Sequence, residues 1–362
     1  MMRISAYPAF KTRYKNPYNW LLYKNMPVDE AVVEEFSYQK IIKNKYDILH
    51  LHWVVETIIR HPNWIIAALR SLIMLMLIDF ARTKGTKVIW TIHDSTPHSI
   101  VHPHLANWFQ KQLLTRIDGY ISLSKKAEKI IVKTLPTVQY LPHTIIPHGH
   151  YRDIYPNNIN PDAARQKLHI PENKHVVLFF GYIDIYKNVP QLIKLFRELA
   201  PQDWVLVIAG NIERDYLKQE IITATENDTK VKLFLKYIPD DEIQIYFQSA
   251  DLVVLPFTEI LNSGSSLLAL SFNRPILVPN LGSIPEVKEQ VGEDWVNTYS
   301  GDFTSEVLAQ GLNWVINTTR SSQCMMEKLD WKQLSQETLK HYQKIFQRDL
   351  ENHNFPIKIQ DN

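Results

Sequence analysis

Apolar residues along this chain arrive in short, nearly continuous runs, separated by longer stretches in which they recur at helical spacing. The short runs read as buried strands and the periodic stretches as helices. In the first part of the chain this predicts strands at Arg3–Tyr7, Tyr46–Trp53, Lys87–Ile92 and Gly119–Leu123, with short β pieces at Gln139–Leu141 and Thr144–Ile146. Helices are predicted over Trp64–Arg82, closed by Gly85, over Leu105–Thr115, and over Lys125–Lys133 behind the cap Ser124. Tyr151–Pro171 interrupts the rhythm: it is polar, carries Pro156, Pro161 and Pro171, and reads as a linker. The alternation then resumes with strands at His175–Phe180, Trp204–Ala209 and Lys230–Leu235 and helices at Val189–Ala200 and Asp240–Ser249. The stretch Asp251–Ile284 is a complete unit. Its strand, Leu252–Leu255, ends at Pro256; a polar turn, Asn262–Ser266, opens a short apolar run to Phe272; a second strand, Pro275–Val278, follows. Helices at Glu306–Thr318 and Trp331–Leu350 complete the chain.

Strand and helix in alternation predict an α/β protein with parallel sheets. At 362 residues the chain exceeds one ordinary core, so two domains are expected: residues 1–160, residues 161–320, and a helical segment, 321–352, returning to the first. Two doubly wound domains would bind ligand in a cleft at their strands' carboxyl ends. No glycine precedes Gly85, which rules out a Gly-rich dinucleotide loop after the first strand.

Composition narrows the reading. With 45% hydrophobic and 22% charged residues and a net charge of +2, the chain is ordinary and globular, with no overall signature of nucleic-acid binding. Cys324 is its one cysteine, which excludes a disulfide framework and a cysteine zinc site. With no signal-peptide pattern at the start, a cytoplasmic protein is the expectation. The most apolar stretch, Trp64–Phe80, carries Arg70 and Asp79 and is interrupted well short of the roughly 20 apolar residues of a span. It reads as a buried or membrane-facing amphipathic helix, hence a protein peripheral to the inner face of a membrane. Residues 1–28 hold Arg3, Lys11, Arg13, Lys15 and Lys24 and no acid, with Phe10, Tyr14, Tyr18, Trp20 and Tyr23 interleaved. That is either a solvated loop with some core aromatics or a surface for anionic lipid or a phosphorylated acceptor.

Candidate chemistry falls at predicted strand ends. The His-x-His pairs His50/His52, His102/His104 and His148/His150 raise a metal reading, but they lie in separate elements without acidic ligands nearby, and structural histidines are preferred. Asp94, after a buried strand, suits a general base on an acceptor hydroxyl or a turn cap; His93 beside it suits a hydrogen bond to sugar or phosphate. Lys187 closes the loop that begins at Gly181 and precedes a helix, where a cation would neutralise a diphosphate leaving group; the alternative is an ordinary exposed lysine. Glu259 is either a holder of sugar hydroxyls or a solvated glutamate. The Asn262, Ser263, Gly264, Ser265 turn points N–H groups and hydroxyls at a ligand beyond its strand.

At these residues the chain resembles the GT-B glycosyltransferases of family 4 (group 1). DILHLHW, WTIHDSTPH, DGYISLSKKA and IIPHGHY are similar, in order, to that family's N-domain signposts. VLFFGYIDIYKNV, WVLVIAGN, VKLFLKYIPDDEIQIYFQSADLVVLPF and NRPILVPNLGSIPEV are similar to its donor domain. The resemblance implies two Rossmann-like domains facing across a cleft, a last helix crossing back, a nucleotide-sugar co-substrate and no required metal. Donor contacts then fall at Gly181, Tyr182, Lys187, Gly210, Glu259, Asn262, Ser263, Gly264, Ser265, Glu286 and His148, with His93, Asp94 and Lys187 as catalytic candidates. Two departures stand out. Tyr182 replaces the family's arginine after the glycine, and Leu268 stands where its second glutamate falls. The pattern is similar to a divergent branch of exopolysaccharide transferases.

The expected activity is hexose transfer from a nucleotide diphosphate sugar, GDP-mannose before UDP-sugars, to a lipid-linked or polysaccharide acceptor. The alternative is a degenerate module that binds a glycan or nucleotide without turnover.

Overall fold

The structure, a computed structural model, describes residues 1–94 and 101–354, with side chains as far as residue 347. The chain divides into two compact units. One is Met1–Gly149 together with the chain from Leu329 onward; the other is His150–Lys328.

The first unit runs β1 (Met2–Tyr7), α1 (Tyr18–Lys24), β2 (Ala31–Glu35), α2 (Tyr38–Lys43), β3 (Ile48–His52), α3 (Val54–Ile59), α4 (Trp64–Thr83), β4 (Lys87–Thr91), α5 (Pro103–Leu114), β5 (Gly119–Ser122), α6 (Lys125–Thr134) and β6 (His143–Ile145). Its six strands are parallel in the order β2-β1-β3-β4-β5-β6, so the winding direction reverses between β1 and β3. β3 and β5 are buried along their whole length, as expected of strands covered on both faces. β2 escapes the hydrophobic pattern because it is an edge strand: Val32 is exposed and two glutamates end it. The β piece expected at Gln139–Leu141 is instead a 3-10 turn, Pro136–Tyr140, with proline at its start.

The second unit runs α7 (Pro161–Lys167), β7 (His175–Phe180), α8 (Val189–Leu199), β8 (Trp204–Ala209), α9 (Asp215–Thr225), β9 (Val231–Phe234), α10 (Ile243–Ser249), β10 (Leu252–Val254), α11 (Gly264–Ser271), β11 (Ile276–Pro279), α12 (Ile284–Val291), β12 (Val296–Tyr299) and α13 (Ser305–Asn317). Its parallel sheet is ordered β12-β11-β10-β7-β8-β9, reversing between β7 and β10. The segment expected as a linker contains α7. Asn160 caps it through Oδ1, accepting from the Ala163 N–H at 2.8 Å, and Pro161 sits at its first turn. Arg165 then pins the helix to Asp251 at 2.9 Å. The same carboxylate accepts from the Val176 N–H at 2.7 Å, joining α7 to β7.

The last helix, α14 (Trp331–Asn354), belongs to the first unit. Ser335 donates to the Leu22 carbonyl at 2.7 Å, and His341 Nδ1 lies 2.8 Å from the Thr144 hydroxyl. Both fold features implied by the resemblance, two Rossmann-like units and a C-terminal helix on the first, are therefore present.

Candidate functional site

In each unit the ionisable candidates gather at strand carboxyl ends beside the point where the winding reverses, the position where open α/β sheets bind ligands.

In the second unit β7 ends at Gly181, held at φ +133°. The β8 end, Gly210, approaches so closely that a Cβ added there would fall inside the Gly181 carbonyl. A Cβ on Gly181 itself would meet Ser265 Oγ at 3.1 Å. Three predicted positions, Gly181, Gly210 and Ser265, thus converge. After Gly181 the chain makes a 3-10 turn, Ile185–Lys187, capped by Asp184, whose Oδ1 accepts from the Ile185 N–H at 2.8 Å. Asn188 in the left-handed region (φ 55°) then starts α8. This folds Lys187 back over aromatic rings: its Nζ is 3.9 Å from the Phe257 centroid and 4.8 Å from that of Tyr186. Burial pushes the Lys187 ammonium down to about 7, with Asp184 acting in the other direction. Asp184 does not pair with it closely, because Arg214 Nε holds that carboxylate at 3.0 Å.

The turn before α11 is only partly available to a ligand. Ser263 accepts from the Ser266 N–H at 3.1 Å and from its hydroxyl at 2.8 Å, so both side chains serve the cap. Gly264 and Ser265 lead the helix and are not buried; Asn262 is half-buried before it. Glu259 is exposed, two residues past Phe257, and the neighbouring Thr258 N–H donates to the Tyr186 carbonyl at 2.9 Å. Glu286 lies in the first turn of α12. Gly282, at φ +52°, brings that helix against the Ile260–Leu261 backbone, and the Ser283 N–H donates to the Leu261 carbonyl at 2.9 Å. Tyr182 is 44% exposed, and the partial desolvation of its ring, followed by the nearby Glu213, raises its phenol.

In the first unit β3 and β4 end in a hydrogen-bonded chain of aromatic rings. His93 Nε2 is 3.0 Å from His52 Nδ1; His52 Nε2 is 2.6 Å from the Tyr23 hydroxyl; that hydroxyl is 2.7 Å from His50 Nδ1. Tyr342 Oη also reaches His50 Nδ1 at 2.5 Å, and His50 Nε2 is 2.8 Å from the Thr91 hydroxyl. Tyr23 has one proton, so it donates to one histidine and accepts from the other, which couples the tautomers along the chain. Trp53 stacks on His93 at 3.8 Å and 13°, held at φ 43°, a strained angle for an aromatic residue. Tyr18 meets His93 and His148 edge-on, each at 4.8 Å, and Trp331 at 5.2 Å. Gly149 admits Trp331, since a Cβ there would lie in the indole ring. Burial drives His50 down to about 3, His148 to about 4, and His52 and His93 well below their ordinary value, so the cluster is neutral at pH 7. Asp94 follows His93 and shares a small crevice with Trp53, Glu56 and Gln110.

The predicted residues therefore form two groups: His93, Asp94 and His148 in the first unit, and the remaining ten in the second. His50 and His52, weighed as metal ligands, spend their ring nitrogens on Tyr23, Tyr342, Thr91 and His93. Among the described residues no group of three or more His, Cys, Asp or Glu is disposed to hold a metal ion. Sequence reasoning missed Tyr18, Tyr23, Tyr342 and Trp331, which come from helices distant in the chain, and Arg214, which reaches the Lys187 loop from the turn after β8. Phe257 had a signal: it follows the strand-ending Pro256.

Comparison with known proteins agrees with this architecture. The family described as glycosyl transferases group 1 matches residues 160–328. The chain is 30% identical over 334 residues to a GDP-mannose:glycolipid 4-beta-D-mannosyltransferase of Xanthomonas campestris pv. campestris, covering 92% of this chain and 90% of that one. It is 20% identical to the alpha-maltose-1-phosphate synthase of Mycolicibacterium smegmatis over 67% of each chain. Among solved structures, a sucrose-phosphate synthase from Thermosynechococcus elongatus superposes with a TM-score of 0.65 at 12% identity, over 98% of both chains. Anabaena HepE in complex with UDP-glucose does so with a TM-score of 0.63 at 15% identity, over 97% of this chain and all of that one. At such identities the structural likenesses speak for the fold alone.

Proposed function

The chain belongs to the group 1 glycosyltransferases, and we propose that the sugar it transfers is mannose, taken from GDP-mannose and delivered to a lipid-linked glycan. The observation that carries the reading is Lys187. A partly neutralised amine, held over rings at the end of β7, is a cation waiting for an anion. A departing nucleoside diphosphate supplies it. The preference for GDP-mannose and for a lipid-linked acceptor is supported by the likeness to the mannosyltransferase, which spans nearly the whole chain.

In this reading the glycines at positions 181 and 210 let the backbone approach the diphosphate. The Gly264 and Ser265 N–H groups at the start of α11, with Asn262 and the Ser263 cap behind them, face its charge. Lys187 gains a proton as the diphosphate binds and stabilises the leaving group as the glycosidic bond breaks. Glu259 holds sugar hydroxyls, Glu286 the ribose, and Tyr182 and His148 complete the donor contacts. Forming a β-glycoside from an α-linked nucleotide sugar inverts the anomeric carbon in one displacement and calls for a base on the acceptor hydroxyl. Asp94 takes that role, and neutral His93 donates or accepts a hydrogen bond beside it. The scheme calls for no metal.

The test is a donor panel. GDP-mannose and UDP-sugars are supplied with a glycolipid acceptor, and transfer and donor hydrolysis are both measured. GDP-mannose turnover is expected, with transfer lost in Asp94→Asn. Turnover of UDP-sugars alone refutes the donor assignment; full transfer by Asp94→Asn refutes the base.

A further inference from the structure

The first unit carries an apolar face that its own core does not use. α4 is 20 residues long, and one side of it, with Ala67, Met74 and Ile78, is buried in the unit. The opposite side is apolar too. Ile65, Leu69, Leu72, Ile73, Met76 and Phe80 recur at helical spacing along one stripe and are all exposed, Ile65 by 68% and Met76 by 69%. Trp64, 59% exposed, stands at the start of the helix. A solvated helix normally places charge there; a contiguous apolar stripe on a soluble domain marks a contact surface.

The charges around the stripe identify the partner. Between Arg60 and Asp118 there are seven lysines and arginines and three acids, Asp79, Asp94 and Asp118, the last lying 3.7 Å from Arg82 and 4.0 Å from Lys87. Asp79, the one acid on α4, is held by Arg116 Nε at 2.9 Å. Arg70 is exposed at the edge of the stripe and Arg60 before the helix, while Lys84 Nζ, 4.4 Å over the Phe80 ring, is spent on the carbonyls of Ile41, Ile42 and Asn44. An apolar stripe bordered by cations, with an aromatic at each end, matches an anionic bilayer surface: the side chains enter the acyl boundary and the cations meet lipid phosphates. By length and hydropathy α4 would also pass as a membrane span, but its Ala67, Met74 and Ile78 side is part of the unit's core, so the helix is not free to cross a membrane. The N-terminal segment is a poorer candidate for this role. Tyr18 and Tyr23 are buried, and Trp20 is covered by Arg13 at 4.2 Å and Lys24 at 4.6 Å.

We infer that the exposed face of α4 docks this protein on an anionic lipid bilayer. The inference stands on the helix face and not on the choice of donor; a lipid-linked acceptor gives it a use. It is tested by flotation of the full chain with vesicles of phosphatidylcholine containing phosphatidylglycerol and with vesicles of phosphatidylcholine alone. The wild type is expected to float with the anionic vesicles and to bind the neutral ones more weakly. Replacing Ile65, Leu72 and Met76 by serine is expected to weaken binding at least about tenfold, since each lost apolar side chain removes buried area. These positions are exposed, so the melting temperature and the hydrolysis of free GDP-mannose without vesicles stay at wild-type values. Wild-type protein that remains unbound with both vesicles overturns the inference, as does a triple variant that floats like the wild type. A concentration-dependent dimer by sedimentation, abolished by the same substitutions in a protein that ignores vesicles, assigns the face to a second copy and also overturns it. Loss of GDP-mannose hydrolysis with vesicle binding intact refutes the proposed reaction and leaves this inference standing.

Discussion

The two units bury ionisable groups at equivalent places, the carboxyl ends of parallel strands beside a reversal of winding, and do opposite things with them. In the first unit three histidines and two tyrosines are closed onto one another, with His148 packed beside them through Tyr18. Hydrogen bonds link His93, His52, Tyr23, His50, Tyr342 and Thr91, and burial keeps every histidine neutral. In the second unit a single amine sits over two rings while its acidic neighbour is engaged by Arg214. The first arrangement is knit together by its own hydrogen bonds; the second leaves a cation whose acidic neighbour is engaged elsewhere. Desolvation is the common cause. It produces a rigid, uncharged hydrogen-bonding wall where many neutral groups can satisfy each other, and a poised cation where one group is held alone.

The largest test of this contrast is acid. A histidine held below its unfolded value of about 6.5 contributes stability that is complete above that value and is lost as the pH falls toward the folded value, because only the unfolded chain takes up the proton. His50, His52, His93 and His148 all titrate in this sense, each worth about 1.4 kcal/mol per pH unit. Denaturant melts between pH 7 and 5 are expected to show the first unit weakening by several kcal/mol with several protons taken up on unfolding. A stability independent of pH over that range contradicts the neutral cluster.

Next in size is Lys187→Ala. Transfer is expected to fall by about a hundredfold or more, the scale on which a lost leaving-group contact acts. The melting temperature should not fall, since a desolvated amine is removed rather than a satisfied one. Equal losses of activity and stability would make the lysine a structural residue. Smaller again is Tyr23→Phe, which leaves the His50 and His52 nitrogens without their shared hydroxyl and should cost about 1–3 kcal/mol of stability. An unchanged melt would show that the shared hydroxyl carries no stability.

Legibility from sequence followed the same divide. The buried strands declared themselves as apolar runs, and Gly181, Lys187 and the Asn262–Ser266 turn stood at their ends where chain order alone could find them. That the sheets are parallel followed from the alternation, but their strand order did not. The edge strand Ala31–Glu35 did not, because half of it faces water and carries acid. α7 reads as linker in the sequence because Asn160-Pro161 signals a turn and a helix start alike. Tyr18, Tyr23, Trp331 and Tyr342 were invisible as site residues, since only tertiary packing brings α1 and α14 to the ends of β3 and β4. The hydroxyls of Ser263 and Ser266 looked available in sequence, yet they are drawn into the cap they form.

The central claim is that Lys187 is a cation held ready for a diphosphate, and proton linkage to GDP binding tests it directly. Titration calorimetry across pH 7 to 9, in buffers of differing ionisation enthalpy, reads both affinity and protons taken up. Because burial holds the free ammonium at about 7, binding should recruit a proton above that pH, and affinity should fall by up to about tenfold per pH unit. Lys187→Ala should bind more weakly and show neither effect. Wild-type affinity that is flat from pH 7 to 9, or a Lys187→Ala protein that keeps the full pH dependence, would contradict the account.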